Sequence, residues 1–90
     1  MNTQWKLNER DVYEARLDHG ADENGPLFML AWIEPVTRTD GSVWYSVSYR
    51  FSDQDTISRV DFLKPKTFLE AASRLMDHAE RWMSEHFFRA

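Results

Sequence analysis

The sequence predicts an α+β domain in which an antiparallel sheet of three or four strands packs against one long C-terminal helix. Apolar residues recur at three- and four-residue steps over the end of the chain, which is the period of an amphipathic helix. Further upstream, apolar and polar residues alternate, which is the period of a strand with one covered face. Ninety residues without a repeat or a linker indicate a single domain, residues 1–90.

The N-terminal stretch allows two interpretations. Tyr13, Ala15 and Leu17 alternate with their neighbours as residues of a strand do. Alternatively, Asn8 caps a short helix that ends before the next glycine. We favour the strand, and the sequence leaves residues 9–18 open between the two.

Two central strands form a predicted hairpin. Leu27 to Val36 and Val43 to Phe51 flank the turn signal Asp40-Gly41. A two-residue loop would place the Glu34 carboxylate inside the core, at a cost of several kcal/mol. We therefore predict a three-residue loop with Gly41 in the left-handed region.

That loop length decides which residues share a face, because it sets Ile33 opposite Val47. The predicted inner face comprises Leu27, Met29, Ala31, Ile33, Tyr45, Val47, Tyr49 and Phe51. The predicted outer face comprises Phe28, Leu30, Trp32, Glu34, Val36, Trp44, Ser46, Ser48 and Arg50.

The last two elements are a strand and the helix. A third strand is expected from about Ile57 to Leu63, after a polar turn. The helix is expected from about residue 67 to residue 88, with Thr67 and Glu70 forming a capping box. Its predicted inner stripe is Leu69, Ala72, Leu75, Met76, Ala79, Trp82, Met83 and Phe87.

The formal charge of −4 excludes a generic DNA or RNA binder, since neutralising phosphates requires a basic surface. Acidic residues concentrate between positions 9 and 23, including Asp11, Glu14, Asp18, Asp22 and Glu23. One interpretation is a solvated edge strand and loop, because charges on an edge deter aggregation. The other is an acidic face for a basic protein partner, such as a nucleic-acid-binding complex.

Three aromatic side chains project from the predicted outer face: Phe28, Trp32 and Trp44. If the helix covers the opposite face, these rings need another cover or a partner. Glu34 and Arg50 beside them complete the composition of an interface core with a polar rim. The alternative is that the N-terminal segment around Trp5 folds over them.

Catalytic, cofactor and metal motifs are not found in the sequence. The chain has no cysteine, and it has three glycines, too few for a loop that cradles phosphate. His78 and His86 would lie about 12 Å apart on the helix, too far to share a metal ion. We expect no enzyme, no cofactor and no metal site.

The sequence also bears on location. It contains no apolar run of membrane-spanning length, and its polar start is unlike a signal peptide. We therefore expect a cytoplasmic protein without membrane contact.

The chain has an aromatic N-terminal segment (Trp5, Tyr13-Glu14-Ala15), a hairpin closing on Gly41 to Tyr45, and a terminal helix with Ala71-Ala72 and Ala79-Glu80. In this layout it resembles small phage- and prophage-encoded proteins that inhibit host machinery, the anti-CRISPR proteins among them. It implies a stoichiometric protein binder without catalysis, and it assigns no functional residue.

Two functional hypotheses follow. The first is a protein-binding inhibitor or adaptor that uses the acidic segment, the aromatic outer face, or both. The second is a structural subunit that self-associates into a homodimer or larger assembly and buries Phe87 and Phe88 between copies.

Overall fold

The chain folds into an antiparallel sheet with one helix across one of its faces. The computed structural model describes residues 4–60 and 64–88. Within them lie five strands and one helix: β1 (Lys6–Leu7), β2 (Tyr13–Asp22), β3 (Gly25–Thr37), β4 (Val43–Phe51), β5 (Ser58–Val60) and α1 (Phe68–Phe87). Each strand pairs with its sequence neighbour, in the order β1-β2-β3-β4-β5. The α+β prediction is confirmed, and β1 is a strand beyond those predicted.

Residues 13–22 form a strand, so the strand interpretation of the N-terminal stretch is the right one. Asn8 does not cap a helix. Its Oδ1 accepts hydrogen bonds from the backbone N–H groups of Arg10, at 2.8 Å, and Val12, at 3.1 Å. The side chain thus stabilises the turn that joins β1 to β2.

The β3–β4 turn has the predicted three-residue loop. The Arg38 N–H donates to the Ser42 carbonyl at 2.8 Å, and the Gly41 N–H donates to the Arg38 carbonyl at 3.0 Å. Gly41 has φ +88°, in the left-handed region that glycine adopts without a Cβ penalty. Ile33 consequently pairs with Val47, as predicted.

The core lies between α1 and the inner face of β2, β3 and β4. Every residue of the predicted inner face is buried or packs against the core. The buried cluster is Ala15, Leu17, Met29, Ala31, Ile33, Val47, Phe51, Ala71, Leu75, Ala79 and Met83.

The inner stripe of α1 differs in part from the prediction. Its most buried positions follow four-residue steps from Ala71, which is fully buried, through Leu75. Leu69 was assigned to this stripe and is 77% exposed. It lies two positions before Ala71, about 200° around the helix, so it points to solvent. Phe68 packs instead, with its ring 4.4 Å from that of Tyr13.

The start of α1 confirms one half of the capping box. The Thr67 hydroxyl accepts from the Glu70 N–H at 3.1 Å. The Glu70 carboxylate accepts from the backbone N–H of Lys66, not from that of Thr67, so the reciprocal bond is shifted by one residue.

The fifth strand is seen over Ser58–Val60, where Val60 pairs with Val47. The rest of the predicted strand, residues 61–63, lies outside the described residues. Ile57, its predicted first residue, precedes the strand and is 55% exposed.

Candidate functional site

The helix packs against one face of the sheet. Along each strand, the side chains between the core residues project from the opposite face. We call this second face the outer face. Its described strand residues include Lys6, Glu14, Arg16, Asp18, Phe28, Leu30, Trp32, Glu34, Val36, Trp44, Ser46, Ser48, Arg50 and Arg59.

Trp32 stands at the centre of the outer face. Strand register aligns one residue from each of the five strands in a row across the sheet. These residues are Lys6, Glu14, Trp32, Ser48 and Arg59. The indole Nε1 of Trp32 donates to Glu14 Oε2 at 3.1 Å. This bond ties the ring edge to β2 and orients the indole.

Two hollows adjoin Trp32, and its side chain lines both. The larger, about 480 Å³, is also lined by Gln4, Lys6, Glu14, Ala15, Arg16 and Leu30. The smaller, about 330 Å³, is also lined by Asn8, Arg10, Val12, Glu34, Ser48 and Ile57. Trp32 therefore lies between two concave regions of the outer face.

Charged side chains cover part of the outer-face aromatic rings. The Arg16 guanidinium carbon lies 3.8 Å from the centre of the Phe28 ring, while Arg16 Nε donates to Asp18 Oδ1 at 2.8 Å. Lys64 Nζ lies 5.9 Å from the centre of the Trp44 ring. Phe28 and the two tryptophans are half-buried, so the face is a mixed surface rather than a bare apolar one.

Arginines on the β4–β5 side of the outer face bond to their own chain. Arg50 donates to the backbone carbonyl of Gln54 at 2.6 Å, which directs it toward the β4–β5 turn. Arg59 donates to Ser46 Oγ at 3.1 Å. Ser46 is only 2% exposed although it lies on the outer face, a burial that the strand pattern did not reveal.

The apolar side chains of Trp5 and Leu7, in the described part of the N-terminal segment, do not shield the outer-face aromatics. Trp5 lies on the helix side of the sheet, where its ring meets that of Phe68 edge-on at 5.7 Å. Leu7 is 55% exposed. Trp5 and Leu7 therefore do not cover Trp32 and Trp44 in the way that the alternative interpretation predicted. The residues of this segment that line the hollows beside Trp32 are Gln4, Lys6, Asn8, Arg10 and Val12.

The acidic segment does not form one patch. Glu14 and Asp18 lie on the outer face, where each has a bonded neighbour on that face. Asp11 lies before β2, and Asp22 ends that strand with Glu23 in the following turn. Because a strand advances about 3.3 Å per residue, Asp11 and Asp22 are about 35 Å apart along the chain.

Histidine contacts are a feature that sequence reasoning missed. His86 Nε2 lies 2.6 Å from Asp53 Oδ1, and its ring stacks on Phe51 at 4.0 Å between ring centres. His19 Nε2 lies 3.3 Å from Ser84 Oγ. These contacts join the C-terminal part of α1 to the sheet. The paired residues are far apart in sequence, so no local pattern could predict them. Among residues 4–60 and 64–88, no three potential ligand side chains group as a metal site.

No protein-family model, curated protein or solved structure matches the chain. In the described part of the chain, α1 lacks the apolar length that a membrane-spanning helix needs.

Proposed function

We propose that this protein is a non-catalytic binding module, an inhibitor or adaptor that engages a partner protein through the outer face. One observation carries the proposal: α1 covers a single face of the sheet, and the opposite face presents Trp32 between two hollows. Tryptophan is the residue type most enriched among binding hot spots, and such anchors sit in surfaces of mixed polarity.

The composition of the outer face supports a protein as the partner. Leu30, Trp32 and Val36 are half-buried apolar residues along β3, and Glu34 and Arg50 add polar groups beside them. A half-buried apolar row with a charged rim matches a transient interface rather than a permanent one. The layout, which resembles that of phage-encoded host inhibitors, suggests that binding serves to block the partner.

Capture from an extract of the cells that express the chain tests this proposal. Wild type, Trp32→Ala and Leu69→Ala are immobilised, and the retained proteins are quantified by mass spectrometry. Leu69→Ala is the matched control, because Leu69 is 77% exposed on the helix side, away from the outer face. We expect a protein that wild type and Leu69→Ala retain and that Trp32→Ala binds on the order of thirtyfold more weakly.

Two results would overturn the proposal. One is a partner that Trp32→Ala retains and Leu69→Ala loses, which would move binding to the helix side. The other is a wild-type dimer in sedimentation experiments that Trp32→Ala converts to a monomer, which would make the outer face a self-association surface.

A further inference from the structure

The outer face carries a different charge from the rest of the chain. Its described strand residues include four cations, Lys6, Arg16, Arg50 and Arg59, and three acids, Glu14, Asp18 and Glu34. The whole chain has a net charge of −4. The excess of acids therefore lies outside these outer-face strand residues.

Two of these cations line the larger hollow. Lys6 and Arg16 line it together with the apolar residues Leu30 and Trp32. Glu14, the acid in this hollow, accepts from the Trp32 indole. Arg16 uses its Nε on Asp18, and a guanidinium has further N–H donors beyond that one. An incoming carboxylate would meet an ammonium and a guanidinium beside an apolar surface.

We propose that the segment bound in this hollow is a partner peptide carrying an acidic residue next to an apolar one. Its carboxylate pairs with Lys6 and Arg16, and its apolar side chain packs on Leu30 and Trp32. This inference rests on the proposed function, because it describes the chemistry of the partner at the same face. A charge pair that loses water on binding adds selectivity for the acidic segment over a neutral one.

Single-stranded nucleic acid fits the outer face less well. Bases bind by stacking on open aromatic rings, and the Arg16 guanidinium already covers Phe28 at 3.8 Å. Glu14, Asp18 and Glu34 also lie among the cations, where they would repel phosphates. An oligonucleotide carries a phosphate at every nucleotide and so brings some of them close to these acids, whereas a peptide places one carboxylate beside Lys6 and Arg16 and has an uncharged backbone elsewhere.

A basic peptide also fits less well, although the chain as a whole is acidic. Asp11, Asp22 and Glu23 lie outside the outer face, at the two ends of β2. Glu14 and Asp18 already bond to Trp32 and Arg16. A cationic side chain in the larger hollow would meet two cations, Lys6 and Arg16, and one acid, Glu14, whose carboxylate already accepts from the Trp32 indole.

A phage-displayed library of random linear peptides, selected on the immobilised protein, tests the inference. The most enriched peptide is synthesised, and its affinity is measured by calorimetry for wild type and for three variants. The Lys6→Glu, Arg16→Glu double variant reverses the charge of the hollow, and Lys6→Gln, Arg16→Gln removes it with little change in size. The matched control is Lys66→Glu, Arg81→Glu, because Arg81 pairs with Glu85 as Arg16 pairs with Asp18, and both control residues are exposed.

We expect enriched peptides with Asp or Glu beside an apolar residue. Their affinity should fall about tenfold or more on charge reversal, less on neutralisation, and less than about twofold in the control. Added salt should weaken the binding to wild type. Thermal melting of each variant shows whether it is folded, and the neutral double variant keeps the test valid if charge reversal unfolds the chain.

Several results would overturn the inference. They are enrichment of Lys- or Arg-containing peptides, no enrichment at all, or equal affinity in both hollow variants and wild type. A single-stranded oligothymidylate that binds wild type and fails to bind Lys6→Gln, Arg16→Gln would assign the hollow to nucleic acid instead. If the enriched peptides are neutral and apolar and their binding requires Trp32, the acidic chemistry of the partner is refuted and the proposed function stands. If acidic peptides bind Trp32→Ala as tightly as wild type, the proposed function is refuted.

Discussion

Ile33 lies directly opposite Val47 on the β3–β4 ladder, and both side chains are buried under α1. Because side chains alternate along a strand, this pairing turns Trp32 and Ser48 to the outer face. A shift of one residue would bring Glu34 opposite Val47 and into the core. The candidate binding face therefore depends on the three-residue turn that sets this register.

Gly41 in that turn is the first point to test. Replacing it with Ala should lower the free energy of unfolding by about 1–2 kcal/mol, because Gly41 has φ +88° and a Cβ is strained there. Beyond Gly41 and its two chain neighbours, no described atom lies within 4 Å of the added Cβ, so the loss reflects backbone strain rather than a clash. Gly41→Asn should cost less, since Asn tolerates this region. Urea denaturation measures both, and equal stability of Gly41→Ala and wild type would contradict the assigned turn.

Leu75 and Leu69 provide a matched pair on α1. Leu75 is 2% exposed and Leu69 is 77% exposed. Leu75→Ala should lower the free energy of unfolding by about 2–5 kcal/mol, and Leu69→Ala by less than about 0.5 kcal/mol. Similar melting temperatures for the two variants would show that the helix packs with a different face.

Local sequence patterns predicted the parts of the fold that neighbouring residues determine. The alternation through Val47 and the Asp40-Gly41 turn were enough for the register, because a turn and its flanking strands lie within a few residues. The outer-face position of Trp32 and Trp44 follows directly from that register.

Contacts between distant parts of the chain could not be predicted. The first turn of α1 faces the sheet through Phe68 rather than Leu69, because Tyr13 and Trp5 receive the Phe68 ring. Both residues are apolar, so periodicity alone did not distinguish them. Likewise, the cover that Arg16 gives to Phe28 depends on strand pairing between β2 and β3.

Variants in the turn after β2 distinguish between the two binding surfaces that the sequence predicted, the acidic segment and the outer face. The double variant Asp22→Asn, Glu23→Lys keeps a side-chain oxygen for the hydrogen bond that Asp22 accepts from the Asn24 N–H at 2.8 Å. It should bind the partner within about twofold of wild type, because these residues lie about 26 Å along β2 from Glu14, the neighbour of Trp32. A loss of affinity as large as that of Trp32→Ala would show that the acidic turn carries the binding.

Asp40 provides a test of the turn by pH. Hydrogen bonds from the Ser42 hydroxyl, at 2.6 Å, and the Ser42 N–H, at 2.9 Å, lower the pKa of the Asp40 carboxyl below its ordinary value. The stability that this supplies is present above the ordinary aspartate pKa and is lost as pH falls through the lowered one. Ser42→Ala should move the pKa of Asp40 back up in an NMR titration of its carboxyl carbon. An unchanged pKa would contradict the hydroxyl contact.

Trp32 and Trp44 test the central claim most directly, when melting and partner affinity are measured on the same variants. Because both rings are half-buried on the face that α1 leaves uncovered, Trp32→Ala should weaken binding by about 2 kcal/mol or more, with only a modest loss of stability. Trp44→Ala should act in the same direction. The contrary result is a loss of about 3–5 kcal/mol in the free energy of unfolding with unchanged affinity of the folded fraction. That result would make the two tryptophans structural residues and remove the outer face as the binding site.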